Sequence, residues 1–583
     1  MEHTQTLYPS ACTPAAQAEG VLTRHFVASR GLWKKGLVVY STVIAGIIVV
    51  AVFSLIVPFN MDEFIHYHPL LCHYYPLNAL NTFREHCRGY DLNLANTGVV
   101  VPLRSYAYSG SFPALYYFPL FVLWRSPLSA RFLGLVFIAA QAGILARLFR
   151  HKFFFVLLGL LSFFPYVFQH LVDTGPVGFH ITSIYLLAWF FERWVSSQRW
   201  RYPLLSAIVI FLGIWTKFAY FWLLPGIGIL FLLALVQYYE KVRAANAWRL
   251  LMLQYVISAL LLLGLVTIIL LSTTPENPLD RPYLQQLLNS ESYSFSEMMR
   301  GAWLRSPVLS VLGNPLQATQ RVFVVASANY FTLIYSMLLY GSIPLTLLIL
   351  SLKKSAPPMQ IFKPAMLFLS FVLTVITIAH TRDAGAMHHA VLAFPFLVLS
   401  AFATIDALRT STFDHILLRK LGIRAGLLFV VLNAVFFVMF PFQTRGFADD
   451  PSKLALHATL NDRALAKNYI YVVTDWGMYY YQGLFGDKNQ SVLYFEPLRE
   501  PFHVAELQAL AHKQGRKLLF MYKGQETVSD IGLIRSLVYT EPCYALRPKA
   551  QWQAILEPGV ESACSQTVKH AVDHQKLLAN ILW

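Results

Sequence analysis

An acidic pair, Asp62 and Glu63, follows the first long apolar stretch of the chain. A carboxylate at the end of a membrane helix is costly to leave dry, so it must face water, a cation or a partner. Two adjacent carboxylates can divide the work of a site, because one accepts a proton while the other binds a metal or holds the first in place. A solvated helix end is the alternative interpretation of this pair.

Two further candidates, Asp173 and Lys217, lie where predicted helices meet. Asp173 follows the third apolar run and could equally cap the next helix, since Thr174, Gly175 and Pro176 come directly after it. Lys217 lies in an apolar stretch, 203–238, that is too long for one helix and just long enough for a hairpin of two. The lysine then falls at the turn, where a cation would suit an anionic ligand. A lysine that extends its amine to the interface is the alternative.

A basic segment, HTRDAGAMHH, spans residues 380–389. Arg382 can bind phosphate oxygens in a bidentate way. His388 and His389 could donate to a leaving phosphate or bind a metal, although adjacent histidines do not share a helical face and form a poor two-histidine metal site. A belt of interfacial histidines would produce the same pattern.

The elements that must position these residues are membrane helices. The chain has 583 residues, of which 56% are hydrophobic and 13% charged, and its mean hydropathy of +0.50 excludes an ordinary soluble protein. A span needs about 20 apolar residues to cross about 30 Å of hydrocarbon. Eleven segments qualify, some of them short: Leu37–Pro58, Leu128–Leu148, Phe153–Leu171, Val177–Phe191, Pro203–Thr216, Phe218–Tyr238, Leu250–Ser272, Tyr330–Leu352, Pro364–Ala379, Ala390–Leu408 and Ala425–Phe442.

The net charge of +16 is distributed over alternate connections between these segments, for example in SRGLWKK, RLFRHK and KKSAPPMQIFK. With residues 1–36 in the cytoplasm, all such clusters lie on the cytoplasmic side, as the positive-inside rule requires. Their scatter over short loops argues against a nucleic-acid-binding surface. The candidate acids and bases then all fall on the outer side, which favours a substrate that binds there, such as an amphiphile with a phosphate head group.

The non-membrane sequence is concentrated on the outer side. The first outer loop, 59–127, contains FPALYYFPLFVLW, which is short, interrupted by proline and predicted to be an interfacial helix. Residues 443–583 contain short β-rich runs with an intervening helical pattern, which predicts an extracytoplasmic α/β domain.

Cysteine usage agrees with this sidedness. Cys72 and Cys87 share the first outer loop, Cys543 and Cys564 share the C-terminal region, and Cys12 alone lies inside. Two disulfides, Cys72–Cys87 and Cys543–Cys564, are the economical assignment for an oxidising compartment, with four unpaired cysteines as the alternative.

Several motifs, taken in order and with their sidedness, resemble the GT-C superfamily of glycosyltransferases. These are the acidic pair after the first helix, the large first outer loop, VDTGP after the third span, WTK at a later turn, and a basic loop before FPF. The resemblance covers residues 37–408. It is strongest to the protein O-mannosyltransferases and the lipid A aminoarabinose transferases, which are bacterial integral membrane enzymes.

The resemblance implies a GT-C-like catalytic membrane domain over residues 37–442, which we expect to have about eleven helices. It also implies an inverting transfer of a hexose or pentose from a polyprenyl-phosphate donor to a lipid, glycan or protein acceptor, in the inner membrane with a periplasmic active site. Asp62 would be the general base, and Glu63 would support it or help to hold a cation. Asp173 matches the acid that follows the third span in the family. Lys217, Arg382, His388 and His389 occupy positions that handle the lipid phosphate.

The sequence also departs from the family pattern. MHHAVLAFPF stands where the family has a Lys/Arg-Tyr pair, so the phosphate ligands are uncertain. No second acidic pair follows in the first loop, which leaves a requirement for Mg²⁺ or Mn²⁺ open, with Asp62 and Glu63 as the candidate ligands. TDWG in the C-terminal region is not the WWD-type motif of oligosaccharyltransferases.

Two other functional classes remain possible from the sequence. A flippase or transporter for lipid-linked sugars would place ionisable residues near the membrane midplane and often shows repeated halves, whereas here the charges lie at helix ends and no repeat is evident. A receptor or scaffold would explain the C-terminal domain but not the acidic pair.

Overall fold

In a computed structural model of the protein, the parts of the chain that can be described consist mainly of apolar helices. Four helical stretches are long and apolar enough to cross a bilayer: Pro127–Leu148, Phe218–Gln237, Pro358–Ile378 and Val391–Thr410. The chain is therefore a helical membrane protein, as predicted. The structure describes residues 44, 46–52, 65–67, 70, 91–94, 99–102, 104–106, 109–172, 175–241, 245–270, 340–354, 356–380, 389, 391–411, 431, 433–434, 467–473, 484–485, 492–494, 512–513, 515–523, 541–544 and 552–556.

The described helices follow the predicted segments closely and extend several of them by a few residues. The predicted interfacial segment forms a helix, α1, of 12 residues. In chain order the helices are α1 Phe112–Leu123, α2 Pro127–Leu148, α3 Phe153–Leu161, α4 Phe164–Val172, α5 Pro176–Ser197, α6 Arg201–Thr216, α7 Leu224–Lys241, α8 Ala245–Leu270, α9 Ser342–Leu352, α10 Pro358–His380 and α11 Phe394–Thr410.

Prolines mark the interruptions in these helices. The third predicted span is divided into α3 and α4, and Pro165 is the second residue of α4, where a missing backbone N–H is tolerated. The stretch after Lys217 begins with a 3-10 helix, Phe218–Leu223, before α7 starts at Leu224. A second 3-10 turn, Val391–Ala393, precedes α11. These breaks leave polar backbone groups at helix ends.

The bundle core is formed mainly by α5, which carries 14 buried residues along 22. Trp194, Ile184 and Tyr185 are fully enclosed. Helix α5 packs against α2, α6, α7 and α11, and α10 packs against α7 and α11. Ser400 on α11 donates a hydrogen bond of 2.8 Å to the carbonyl oxygen of Pro364 on α10. Apolar packing of this kind fixes the helix ends that carry the candidate site.

Contacts bring together two groups of connections between helices, one at each end of the bundle. At one end of the bundle, Arg409 Nη1 lies 3.1 Å from His151 Nδ1 and Thr410 donates to Gln360, so the connections that begin near 149, 353 and 410 meet there. At the other end, the loop before α1, the turn before α5 and the turn after α6 meet around Lys217. We call the second group of connections the Lys217 end. Its assignment to the outer side stays a prediction.

The C-terminal region contains a mixed sheet of five strands with the order β6-β5-β7-β9-β8. The β-rich runs predicted within residues 443–583 form three parallel strands, β5 Tyr469–Val473, β6 Val492–Tyr494 and β7 Lys517–Lys523. Two antiparallel strands, β8 Glu541–Tyr544 and β9 Trp552–Leu556, were not predicted. Two short hairpins precede α1, formed by β1 Asp91–Leu94 with β2 Val99–Pro102 and by β3 Arg104–Tyr106 with β4 Ser109–Gly110.

The C-terminal region contacts the membrane bundle at the end of α1. Arg125 Nε donates a 2.7 Å hydrogen bond to the carbonyl oxygen of Leu484. The rings of Phe121 and Phe485 lie 6.1 Å apart, and Leu484 is fully buried. Segment 484–485 is thus attached to the interfacial helix.

Several predictions lie outside the described residues. They include most of the first and last spans, the first part of the eighth, and the side chains of Cys72, Cys87, Cys543 and Cys564. The count of eleven helices, the two disulfides and the domain limits at 37, 443 and 583 therefore stay predictions.

Candidate functional site

Lys217 ends α6 and begins the turn that the sequence predicted. Its backbone leaves the helix in an extended conformation, with φ −164° and ψ 146°, and it forms an antiparallel bridge with Ser109 of the first loop. The lysine is buried, with 8% of its surface exposed. An ammonium group in this setting requires compensation by negative charge or hydrogen-bond acceptors.

Gly110 permits this close approach between the first loop and α6. A Cβ atom added at Gly110 would lie 1.6 Å from the carbonyl oxygen of Trp215. Any larger residue would therefore displace the strand from the end of α6. The bridge between Ser109 and Lys217 depends on this contact.

His66 lies in a 3-10 helix, Ile65–Tyr67, and is buried beside the same strand. Its Nδ1 atom is 2.8 Å from Ser109 Oγ, and its ring packs on Gly175. Burial lowers the pKa of His66 well below its ordinary value, and the nearby positive charge of Lys217 lowers it further, followed by His180. His66 is therefore a neutral imidazole close to a cation.

His180 on α5 contacts the last turn of α6, which ends directly before Lys217. Its Nε2 atom donates to the carbonyl oxygen of Gly213, one turn before Lys217, at 3.1 Å, and its ring contacts that of Tyr220 at 5.1 Å. Its Nδ1 atom is buried and has no hydrogen-bond partner among the described residues. The described part of the site thus combines one buried lysine with two imidazoles.

His389 lies on the other side of the turn that follows Lys217. Its ring meets that of Trp222 edge-on at 4.9 Å, and Trp222 belongs to the 3-10 helix that begins directly after Lys217. The structure therefore brings His389 to the Lys217 end. Arg382 and His388 themselves lie outside the described residues.

The three candidate acids also lie outside the described residues, but their neighbours in the sequence do not. Asp62 and Glu63 precede Ile65 by three and two residues, and Asp173 precedes Gly175 by two. Since His66 packs on Gly175, the structure joins the two described segments that directly follow the acids.

A row of aromatic rings borders this site. Phe112 stacks on Trp215 at 5.6 Å and meets Phe179 edge-on at 5.0 Å. Tyr116 contacts Phe179 and Phe137, and its hydroxyl donates to the carbonyl oxygen of Gly175. The rings are only partly buried, so they offer an apolar surface beside the buried lysine.

Among the described residues no group of three His, Cys, Asp or Glu side chains could hold a metal ion. The described polar side chains of the site, Lys217, His66, His180 and Ser109, are not the set of oxygen ligands that Mg²⁺ prefers, nor one typical of Mn²⁺. Asp62 and Glu63 stay the candidates for a divalent cation.

Ser109, His66 and His180 were not singled out as site residues from the sequence. The available signal for His66 was its position four residues after Asp62. Ser109 is a common residue type in a loop, and His180 lies within an apolar helix, so neither had a distinguishing pattern.

No protein-family model matches the sequence, and no curated protein does. Among solved structures, the chain is similar to ArnT from Cupriavidus metallidurans bound to undecaprenyl phosphate, with 13% identity, a TM-score of 0.53, and coverage of 89% of this chain and 97% of ArnT. Apo ArnT from the same organism has 13% identity and a TM-score of 0.52, with coverage of 89% of this chain and 98% of ArnT. The archaeal oligosaccharyltransferase AglB from Archaeoglobus fulgidus, in complex with an inhibitory peptide and a dolichol-phosphate, has 10% identity and a TM-score of 0.36, with coverage of 87% of this chain and 72% of AglB. The chain therefore has a GT-C-like fold, as its motifs predicted.

Proposed function

We propose that this protein is an integral membrane glycosyltransferase. It transfers a sugar from a polyprenyl-phosphate donor to a lipid, glycan or protein acceptor at the outer face of the inner membrane. The observation that carries the proposal is the buried Lys217 beside the neutral His66 in a GT-C-like fold. The similar ArnT structure contains undecaprenyl phosphate, which is the type of anion that such a site would bind.

Lys217 has the role of stabilising the phosphate of the donor. When the bond between the sugar and the phosphate breaks, the phosphate gains negative charge, and a cation held nearby lowers the energy of that state. His66 is an uncharged neighbour that adds hydrogen-bonding groups beside the lysine. Arg382, His388 and His389 are further contacts to the phosphate in this proposal, since His389 borders the turn that follows Lys217.

Asp62 has the role of general base. The acceptor hydroxyl attacks the anomeric carbon from the face opposite the phosphate, its proton passes to Asp62, and the polyprenyl phosphate leaves with the bonding electrons. A single displacement of this kind inverts the anomeric configuration. Glu63 supports the base, and Asp173 precedes by two residues Gly175, on which His66 packs.

A divalent cation, Mg²⁺ or Mn²⁺, would be held by Asp62 and Glu63, whose carboxylates are the ligand type that these ions prefer. Such an ion would supply electrostatic stabilisation of the leaving phosphate. The roles of Lys217 and His66 do not depend on it.

A transfer assay with the purified protein in lipid tests the proposal. Radiolabelled polyprenyl-phosphate hexoses or pentoses are supplied, and wild type is compared with Asp62→Asn. We expect wild type to consume a donor and the variant to lose about 10²- to 10⁴-fold of that turnover, the usual contribution of general-base catalysis, with unchanged thermal stability. If wild type consumes no donor but moves labelled lipid-linked sugar between leaflets of a vesicle, the protein is a flippase and the proposal is wrong.

A further inference from the structure

Three helices are joined by hydrogen bonds between buried polar side chains inside the membrane bundle. Gln141 on α2 lies with its Nε2 atom 2.9 Å from His170 Nε2 on α4 and 2.9 Å from Thr182 Oγ1 on α5. Tyr166 on α4 donates to Gln141 Oε1 at 2.5 Å and lies 3.3 Å from the hydroxyl of Tyr185 on α5. Four of these side chains are fully buried and Thr182 is 7% exposed. We call these five residues the Gln141 network.

One arrangement of hydrogens satisfies every side chain of the Gln141 network, in which Gln141 Nε2 also lies 3.3 Å from the carbonyl oxygen of Gly178. His170 Nδ1 lies 2.7 Å from the carbonyl oxygen of Tyr166, which can only accept, so Nδ1 carries the proton. His170 Nε2 is then an acceptor and receives one hydrogen from the Gln141 amide. The second amide hydrogen goes to Thr182, whose own hydroxyl donates to the carbonyl oxygen of Gly178.

The same arrangement satisfies the hydroxyl groups of Tyr166 and Tyr185. The hydroxyl of Tyr166 donates to Gln141 Oε1 and accepts from Tyr185. Each donor of the Gln141 side chain is therefore used, and His170 is neutral. A complete network of buried polar groups is rigid and specific, whereas one that lacks a partner is costly.

The position of the network gives it a consequence for the site. His170 lies two residues before α4 ends at Val172, and Gly178 lies two residues after α5 begins at Pro176. The network therefore ties together the two helix ends on either side of residues 173–175. Gly175, which directly precedes α5, packs on His66, and Asp173 precedes Gly175 by two residues in the sequence.

We propose that Gln141 and His170 are positioning residues for the transfer reaction: through the two helix ends they set Gly175, and with it the His66 ring that packs on Gly175, relative to Lys217. This inference depends on the proposed glycosyltransferase function. Neither residue contacts the described residues around Lys217, so they act through the two helix ends and not on the substrate. Burial of polar groups inside a membrane bundle costs free energy. Apolar residues would hold the helices together equally well but would not fix one geometry.

The test uses the full-length protein in lipid and the variants Gln141→Leu and Gln141→Glu. The leucine variant removes the hydrogen bonds to His170, Thr182 and Tyr166. The glutamate variant restores the link to His170, because the carboxyl group and the imidazole share one proton. Ser400→Ala is the matched control, since it removes a buried interhelical hydrogen bond of 2.8 Å between α11 and α10.

We expect Gln141→Leu to lower kcat by about 10- to 100-fold, the usual effect of a small misplacement of a catalytic group. Gln141→Glu recovers most of the kcat, and Ser400→Ala keeps the wild-type value. The inference is overturned if Gln141→Leu keeps the wild-type kcat, if Gln141→Glu loses as much as Gln141→Leu, or if Ser400→Ala shows the same loss.

A second readout does not use activity and separates this inference from the proposed function. In a cysteine-free background, Thr174→Cys places a thiol in the sequence between α4 and α5, and its rate of reaction with a water-soluble maleimide is measured with and without Gln141→Leu. We expect the rate to change with Gln141→Leu and to be unaffected by Ser400→Ala. An unchanged rate with Gln141→Leu overturns the inference, whereas a lack of donor turnover by wild type overturns the proposed function alone.

Discussion

Ser109 connects an imidazole to a cation: its Oγ lies 2.8 Å from His66 Nδ1, and its backbone forms a bridge with Lys217. His66 and Ser109 are 43 residues apart in the sequence, so their contact joins two distant parts of the first loop. The relationship fixes the neutral imidazole and the buried ammonium relative to each other. An anion that enters this part of the molecule meets both groups without their having to reorganise, which is the condition for electrostatic stabilisation of a leaving phosphate.

Replacement of Lys217 tests its role at the phosphate. Lys217→Gln removes the cation but keeps a polar side chain of similar length. We expect donor turnover to fall by about 10²- to 10³-fold, as for the loss of one preorganised donor to a developing anion, with weaker binding of polyprenyl phosphate. The transfer assay and equilibrium binding of polyprenyl phosphate measure the two effects.

Lys363→Gln is the control for this experiment. Lys363 lies at the opposite end of the bundle, with its Nζ 5.8 Å from the ring centre of Phe149, and its replacement should leave turnover unchanged. Equal losses in both variants would show that net charge and not the Lys217 site governs the reaction.

Gly110 has a steric role that a small substitution exposes. In Gly110→Ala the new methyl group would overlap the carbonyl oxygen of Trp215, because a Cβ there lies at 1.6 Å. The strand and its bridge to Lys217 must move. We expect lower thermal stability and loss of turnover, measured by a melting curve and the transfer assay.

Gly143→Ala provides the comparison, since nothing lies within 4 Å of a Cβ at that position of α2. An alanine in a helix interior is worth about 0.5–1 kcal/mol relative to glycine, so this variant should be as stable as wild type or slightly more so. A Gly110→Ala variant that melts and reacts like Gly143→Ala would contradict the close approach of the first loop to α6.

Several features of the fold and the site could be predicted from the sequence, and the reason differs between residues. Lys217 was found because residues 203–238 are too long for one helix, so a turn was required, and the structure ends α6 at Thr216. Strands β5, β6 and β7 were found because β-branched and aromatic residues concentrate there. Strands β8 and β9, with the sequences EPCY and WQAIL, are short and have weak β patterns.

Pairings between distant residues could not be predicted in this way. The contact of His66 with Ser109 depends on the path of the first loop, for which no periodic pattern exists. Gln141, His170 and Thr182 are single polar residues on three apolar helices, and each one alone is compatible with an ordinary buried side chain. Their hydrogen bonds become visible only when packing brings the three helices together, because local pattern fixes the face of a helix and not its partner.

Arg125 offers a test of how the C-terminal region is attached to α1. Its Nε donates a 2.7 Å hydrogen bond to the carbonyl oxygen of Leu484, and its guanidinium lies 5.9 Å from the ring centre of Phe121. A hydrogen bond to a charged donor contributes about 1.5–3 kcal/mol, so Arg125→Ala should raise the population of the detached state by about 10- to 100-fold. We expect correspondingly faster limited proteolysis within residues 443–583.

Arg199→Ala serves as the control, because Arg199 is an exposed residue between α5 and α6. Its proteolysis should match that of wild type. Wild-type rates of cleavage in Arg125→Ala would show that Phe121, Phe485 and other contacts hold the C-terminal region without the arginine.

The last prediction concerns pH and His66. Burial and the charge of Lys217 lower the pKa of His66 in the folded protein below that of the unfolded chain, which is about 6.5. The unfolded chain then binds more protons below that pH, so stability is complete above about pH 6.5 and falls as the pH decreases, by up to about 1.4 kcal/mol per pH unit for one group. His66→Asn keeps a polar partner for Ser109 but does not titrate. We therefore expect its melting temperature to fall less than that of wild type between about pH 7.5 and about pH 5.5.

His512→Asn, at an exposed histidine, is the control, and its melting temperature should depend on pH as that of wild type does. Other buried histidines contribute equally to all three proteins, so the difference between wild type and His66→Asn isolates the one imidazole beside Lys217. If the melting temperatures of wild type and His66→Asn depend identically on pH, His66 is not held neutral in the folded protein.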